Sequence, residues 1–317
     1  MRVVVIGGTG HVGTYLVPRL VEAGHEVISF SRGQRDPYQP SAAWRSVRNV
    51  VLDREAEETA GRFGTKIREL QPDAVIDMIC FTPASARQLV EALRGHVQHL
   101  LHCGTIWVHG PSVEVPTTEK QPRRPFGEYG IRKAAIEADL LNEARRNGFP
   151  ATVLHPGHIV GPGWEPLNPA GHFDAQVFAR LARGEELTLP NLGMETVHHV
   201  HADDVAQAFE KALTHRSVSI GESFHVVSPA ALTLRGYAEA VSLFFGREAL
   251  LRYQPWEEWR RNVPERDAAF TWDHIAHSPS CSIAKATRLL GYQPRYTSLQ
   301  AVFESLTWLV EHDKLKA

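Results

Sequence analysis

The sequence predicts an α/β protein with a doubly wound parallel sheet and a smaller, mostly helical C-terminal lobe. The first observation behind this is the opening run Val3-Val4-Val5-Ile6, which breaks into Gly7-Gly8-Thr9-Gly10-His11-Val12-Gly13 and passes directly into a helical pattern. The second is the rhythm that follows, in which short apolar, β-branched runs alternate with amphipathic helical stretches. Such alternation gives parallel strands joined by right-handed crossovers, with helices on both faces. The third is size: 317 residues, 43% hydrophobic and 22% charged, are enough to bury one large α/β core with a second lobe.

The elements read in order as follows. Gly24 ends the first helix, inside which Pro18 removes one backbone hydrogen bond and is expected to bend it. Glu26–Phe30 reads as the second strand and Asn49–Leu52 as the third, after a polar loop containing Pro37 and Pro40. Thr59 to Leu70 reads as a helix, Ala74–Ile79 as a strand, Ala84 to Leu93 as a helix and His99–Cys103 as the fifth strand. A long helix is predicted from about Glu128 to Arg146, stopped by Asn147-Gly148, and Ala151–Leu154 is the sixth strand. Residues 163–195 are rich in Gly, Pro and Asn, with one helix near Asp174 to Ala182. Asp203 and Asp204 open a helix through Leu213, Phe224–Val227 is a strand, and Thr233–Phe245, Ser282–Leu290 and Ser298–His312 are helices with Ser or Thr caps. The expected division is a first domain over residues 1–162, to which 196–228 returns, and a second lobe built mainly from 163–317.

Bulk properties exclude several classes. A formal net charge of -2 and a pI of about 6.8 provide no basic field for nucleic acid or anionic membrane. No apolar run approaches the ~20 residues of a membrane helix. Met1 leads straight into the first strand, so no signal peptide is expected. The three cysteines, Cys80, Cys103 and Cys281, are widely spaced and fit buried free thiols in a reducing cytoplasm.

The chemistry concentrates in three places. In the first turn, Gly7 permits the tight bend, Gly10 lets the backbone approach a pyrophosphate, and Gly13 lets the helix pack close. The helix N-terminus then offers free N–H groups and partial positive charge to phosphates. Thr9, His11 and Val12 fill the same loop. On the long helix, Tyr129 and Lys133 stand one turn apart on one face. A lysine ammonium beside a phenol, whose free pKa is ~10, is expected to favour the phenolate and bring it into acid–base range. Thr105 follows the fifth strand, at the carboxyl end where ligands of parallel sheets bind, and its hydroxyl can hold a substrate oxygen.

In these features the chain resembles the extended short-chain dehydrogenase/reductases of the NAD-dependent epimerase/dehydratase type, on a Rossmann fold. The resemblance rests on the Gly7–Gly13 loop, the strand and turn Leu101–Gly110, the Tyr129/Lys133 pair and the segment His155–Gly163. It extends to His201–Ala206 and to Lys285–Pro294 near the C-terminus. It implies a nicotinamide cofactor, Tyr129 as acid/base, Lys133 as its modulator and a ribose contact, and Thr105 in the serine/threonine role. It also implies a small-molecule substrate, such as a sugar or sugar nucleotide, and a homodimer paired through the tyrosine-bearing helix. Ile79, Pro156 and His158, at the ends of the fourth and sixth strands, complete the expected cofactor contacts.

After the second strand, where an acidic residue would mark NAD, the chain has Ser31-Arg32-Gly33. A hydroxyl and a guanidinium suit a 2′-phosphate, so NADP is expected over NAD. Asp53, after the third strand, is placed to meet the adenine edge. Two arginines that grip the diphosphate in sugar-nucleotide epimerases are missing: Val197 stands in one place, and Phe270–His277 covers the other. Arg180, Arg183 and Arg266 are the candidate substitutes. The Ser31-Arg32-Gly33 loop and the missing arginines also resemble a branch containing chloroplast RNA-binding proteins, which often loses the catalytic pair that this chain keeps. Among 17 histidines, His198-His199-x-His201 puts only His199 and His201 on one side of a strand, so no metal site is expected. His155, His158, His172 and His274 are candidate pocket residues, while Trp164, Trp256, Trp259 and Trp272 read mainly as core. The expected protein is an NAD(P)-dependent oxidoreductase acting at a carbinol or ketone carbon. The alternatives are an epimerase that retains its cofactor and a dinucleotide- or RNA-binding protein without turnover.

Overall fold

The computed structural model describes residues 1–316. Seven strands form one parallel sheet: β1 (Arg2–Ile6), β2 (Glu26–Ser31), β3 (Arg48–Val51), β4 (Ala74–Asp77), β5 (His99–Cys103), β6 (Ala151–Pro156) and β11 (Ser223–Val226). Their order is β11-β6-β5-β4-β1-β2-β3. Strand order therefore reverses at β1, which lies between β4 and β2, and ligands of open α/β sheets bind in the crevice at such a point.

The pleat sorts the apolar side chains onto two faces. Val3 and Val5 join a core with Leu16, Val17 and Leu20 of α1 (Gly13–Glu22) and Phe209 of α7 (Ala202–Thr214). Val4 and Ile6 point the other way, into a core with Phe63 and Ile67 of α3 (Phe63–Glu69), Leu89 of α4 (Pro83–Leu93) and Ile136 of α5 (Gly127–Asn147). Burying each such side chain stabilises the fold by roughly 1.5–3 kcal/mol, so this alternation fixes which face each helix covers. Pro18 lies inside α1, which runs on as one helix. The helix expected over Thr59 to Leu70 is the shorter α3, and a separate helix not expected, α2 (Arg54–Thr59), precedes it, because Gly61 turns the chain between them with φ of 68°.

A third core gathers the C-terminal elements. It draws on α6 (Gln176–Arg183), α9 (Leu234–Phe244), α10 (Trp256–Trp259), α11 (Glu265–His277) and α13 (Ser298–Glu311). Short strands tie it together in pairs: β7 (His158–Val160) with β10 (His199–His201), β8 (Leu187–Pro190) with β13 (Leu251–Gln254), and β9 (Thr196–Val197) with β12 (Leu232–Thr233). Thr233 and Thr297 cap α9 and α13 as expected, the latter in a full capping box with Gln300. The helix expected from Ser282 begins at Ala284 as α12 (Ala284–Leu290), and its N-cap is Ile283. The short α8 (Arg216–Ser219) follows α7. The helix α11 was not expected. Pro264 opens it, but its buried positions mix Thr271, His274, Ile275 and His277, so the sequence shows no clean apolar stripe.

The first turn sets the closest tolerance in the sheet. Gly7 adopts φ of 92°, and a Cβ on Gly13 would fall 2.2 Å from the Gly8 carbonyl oxygen. Gly13→Ala is expected to cost about 1–3 kcal/mol through this backbone clash. Thermal unfolding checks it, and an unchanged melting temperature would contradict the packing described.

Candidate active site

A cleft of about 780 Å³ opens at the carboxyl ends of β1, β4, β5 and β6, between the sheet and the segments carrying Trp164, Phe173 and Phe270. Gly7, Thr9, Gly10, His11, Val12 and Gly13 line one end, with Ser31 and Arg32; Ile79, Thr105, Tyr129, Lys133, Pro156 and His158 line the middle. Of the residues expected to contact the cofactor or to carry catalysis, Asp53 stands apart. Its carboxylate accepts the Ala56 N–H at 3.1 Å and caps α2, and it does not line the cleft.

The glycine turn has the form that a pyrophosphate requires. Gly10 N–H is held by the Gly7 carbonyl at 3.0 Å, and α1 begins at Gly13 with no side-chain cap. Among the described residues the N–H groups of His11, Val12 and Gly13 have no acceptor, so the turn keeps free donors on residues that line the cleft. A Cβ on Gly10 would sit 3.1 Å from the Gly7 oxygen, at the very surface a phosphate would approach. The residues present fit a dinucleotide. Beyond β2, Gly33 turns with φ of 66° and its N–H reaches the Ser31 hydroxyl at 3.2 Å. Arg32 is exposed at the cleft edge and forms no ion pair with a described carboxylate.

The central group is built on α5. Lys133 is 2% exposed, and its ammonium donates to the carbonyl oxygens of Cys80 at 2.8 Å and Cys103 at 2.6 Å. Its charge thus bridges the ends of β4 and β5, and burial lowers its pKa from the usual lysine value. One turn earlier, Tyr129 faces Thr105 across the cleft mouth. The sequence led us to expect a phenol lowered by Lys133; in the structure that ammonium is spent on two carbonyls instead. Tyr129 is 44% exposed as a residue, but the cleft wall around its hydroxyl, with the Cys103 thiol adding to it, pushes that group up to about 12, and only the Thr105 hydroxyl pulls the other way. The Nζ of Lys133 lies 5.9 Å from the Tyr129 ring centre and is turned toward two carbonyls.

Behind Thr105 lies a buried chain that the sequence did not reveal. The Thr105 N–H donates to His155 Nδ1 at 3.0 Å, and His155 Nε2 sits 3.0 Å from the Glu137 carboxylate. Arg123 meets the same carboxylate through two nitrogens, at 2.6 and 2.9 Å. Burial alone would raise the Glu137 carboxyl, but His155 and Arg123 outweigh it and hold the group well below the usual carboxylate range. Glu137 is one turn beyond Lys133, so Tyr129, Lys133 and Glu137 continue a single face. That i, i+4, i+8 spacing was the available signal. Asp77, Cys80 and His102 also come within 4.8 Å of one another, with the Arg54 guanidinium 2.7 Å from Asp77.

The far half of the cleft is aromatic. Trp107, Phe173 and Phe270 line it, with Val197, His158, His198, His274 and Asp273. Trp164 stacks on His11 at 4.9 Å, whereas Trp259 is core and Trp272 is 49% exposed. His172 bonds Asn168 at 3.1 Å within its own loop and does not line the cleft. The candidate substitutes for the missing arginines do not reach the site. Arg183 pairs with Glu185 at 2.6 Å, Arg180 bonds the Glu186 carbonyl, and Arg266 lies against the Phe270 ring at 5.5 Å.

A parallel sheet with a glycine-rich turn at its switch point, opening a helix, is the arrangement of a dinucleotide-binding α/β protein. Residues 3–226 match the NAD dependent epimerase/dehydratase family, and the chain belongs to it. Among curated proteins it is 30% identical over 247 residues to a 2′-dehydrokanamycin reductase of Streptomyces kanamyceticus, covering 78% of this chain and 67% of that one. It is 24% identical to the chloroplast stem-loop binding protein of 41 kDa b of Arabidopsis thaliana, over 96% of this chain and 78% of that one. A solved UDP-glucose 4-epimerase of Thermotoga maritima superposes with a TM-score of 0.74 at 22% identity, covering 98% of this chain and 99% of the other, which establishes the fold.

The buried carboxylate gives a prediction with a definite sign. Because the folded Glu137 titrates below its unfolded value of ~4.3, its contribution is present above that pH and is lost as pH falls. Glu137→Gln is therefore expected to cost about 3–5 kcal/mol near neutral pH, by leaving Arg123 and His155 unbalanced. Urea unfolding checks this: the gap from wild type should shrink at pH 4, and a gap independent of pH would contradict it.

Proposed function

We propose that the protein is an NADP-dependent oxidoreductase that interconverts a ketone and a carbinol on a small-molecule substrate and releases its cofactor each turn. The observation that carries this reading is the Thr105–Tyr129–Lys133 group, set at the cleft centre between a dinucleotide cradle and an aromatic pocket. A bound nicotinamide supplies the hydride donor or acceptor. With its hydroxyl pushed up to about 12, Tyr129 is protonated at neutral pH and suited to donate a proton to a substrate carbonyl oxygen. Thr105 Oγ1 accepts the Trp107 N–H at 3.3 Å, which leaves its hydroxyl hydrogen free to donate to the same oxygen. Lys133 uses two of its three donors on Cys80 and Cys103, leaving one for a cofactor hydroxyl.

Unpaired Arg32, together with Ser31, supports a 2′-phosphate and hence NADP. The reading of a sugar-nucleotide epimerase draws support from likeness to an epimerase solved with UDP-glucose. Against it, the substrate half offers no arginine or lysine to a diphosphate. The 2′-dehydrokanamycin reductase relative favours reduction of a carbonyl on a sugar-like ring. Likeness to a stem-loop binding protein suggests a binder without turnover, but the intact Tyr129, Lys133 and Thr105 favour catalysis.

Two variants test the reading. Tyr129→Phe is expected to lower NADPH-dependent reduction of a panel of keto sugars by about 10²–10⁴-fold, with NADPH affinity little changed. Turnover that survives the change would contradict an acid/base role. Arg32→Ala is expected to weaken NADPH by about 1.5–3 kcal/mol while leaving NADH alone, which fluorescence titration measures. An equal loss for both dinucleotides would remove the case for NADP.

A further inference from the structure

We propose that the substrate carries a protonated amine, seated against Asp273 and the aromatic wall of Trp107, Phe173 and Phe270. This rests on the reading above and adds the chemical class of the substrate. Its first basis is the distribution of charge along the cleft. Arg32 and Arg35 stand at the dinucleotide end, and Lys133 is held by two carbonyls. Beyond Tyr129 the one charged lining residue is Asp273, and its carboxylate has no ion-pair or hydrogen-bond partner among the described residues. Arg266, nearest in sequence, lies over the Phe270 ring and does not pair with it.

The second basis is an independent acceptor. His274 is 5% exposed and lines the same wall. Its Nδ1 is 2.7 Å from the Phe270 carbonyl, which can only accept, so Nδ1 bears the proton and Nε2 presents a lone pair. Among the described residues Nε2 has no protein donor. Burial lowers the His274 pKa to about 4, which keeps the ring neutral. His158 adds a second neutral ring, 5.9 Å from His274, with its Nε2 likewise unpartnered.

The substrate half is therefore rich in acceptors and π faces, and beyond Lys133 its described lining holds no lysine or arginine. An ammonium satisfies each feature: it donates to the carboxylate and the imidazole lone pair and lies against indole and phenyl faces. A diphosphate meets the opposite, an unpaired carboxylate of like charge with no lysine or arginine beside it to offset it. Amino sugars and aminocyclitols combine the required ammonium with a carbinol or ketone on a ring.

The test compares two sugars that differ at one nitrogen. Glucosamine and N-acetylglucosamine are titrated calorimetrically against the full chain, with and without NADP⁺, in slightly acidic buffer where the free amine is charged. UDP-glucose is the third ligand. Glucosamine is expected to bind at least about tenfold more tightly than N-acetylglucosamine. Asp273→Asn should abolish that preference, and Asp273→Glu should retain part of it, which a merely structural role would not produce. Equal binding of the two sugars, binding of neither, a preference that survives in Asp273→Asn, or UDP-glucose as the tightest ligand would each overturn the proposal. Failure of NADP⁺ itself to bind counts against the oxidoreductase reading, while the sugar preference is read separately without it.

Discussion

The ammonium of Lys133, fixed by the carbonyl oxygens of Cys80 and Cys103, is the contact on which the site depends. It fastens the long helix to the ends of two adjacent strands, and each neighbouring feature follows from helical geometry. One turn back, Tyr129 is carried to the cleft mouth opposite Thr105. One turn on, Glu137 reaches the His155 ring that receives the Thr105 N–H. A single helix face thus positions the phenol directly and the threonine through a histidine. Buried polar chains of this kind hold a geometry well when each member has a partner, and they are costly when one is removed.

The cleft is polarised from end to end. At the glycine turn, free N–H groups, the start of α1 and two arginines present positive charge. At the other end, neutral histidines, aromatic rings and an unpaired aspartate present acceptors. Tyr129 lies between them, facing Thr105. An anionic dinucleotide and a donor-rich substrate are thereby directed to opposite ends, with the reacting centre where they meet. Electrostatic arrangement of this sort orders ligands before any conformational change is needed.

Much of this was legible in the chain, for identifiable reasons. β-Branched runs and glycine turns report local backbone preference, so the strands and the dinucleotide loop could be placed from residues near one another. Tyr129 and Lys133 were legible because helical spacing puts them on one face. What failed was direction. The same spacing suggested that Lys133 would lower the phenol, yet its Nζ is turned toward carbonyls supplied by residues 80 and 103. Asp53 looked like a ligand residue because it ends a strand, but the helix that begins one residue later takes its carboxylate as a cap. The Glu137–His155–Thr105 chain and the aromatic wall around Asp273 join distant segments. No local pattern announces such contacts, and α11 lacked the apolar periodicity that would have marked it.

The most direct test of the account is the identity of any dinucleotide carried by the purified protein, read by mass spectrometry after denaturation. A cofactor that dissociates each cycle leaves the protein empty, and the empty protein should then take up NADPH in preference to NADH. Stoichiometric NAD held through purification would contradict it, pointing instead to a retained cofactor and an epimerase-like cycle.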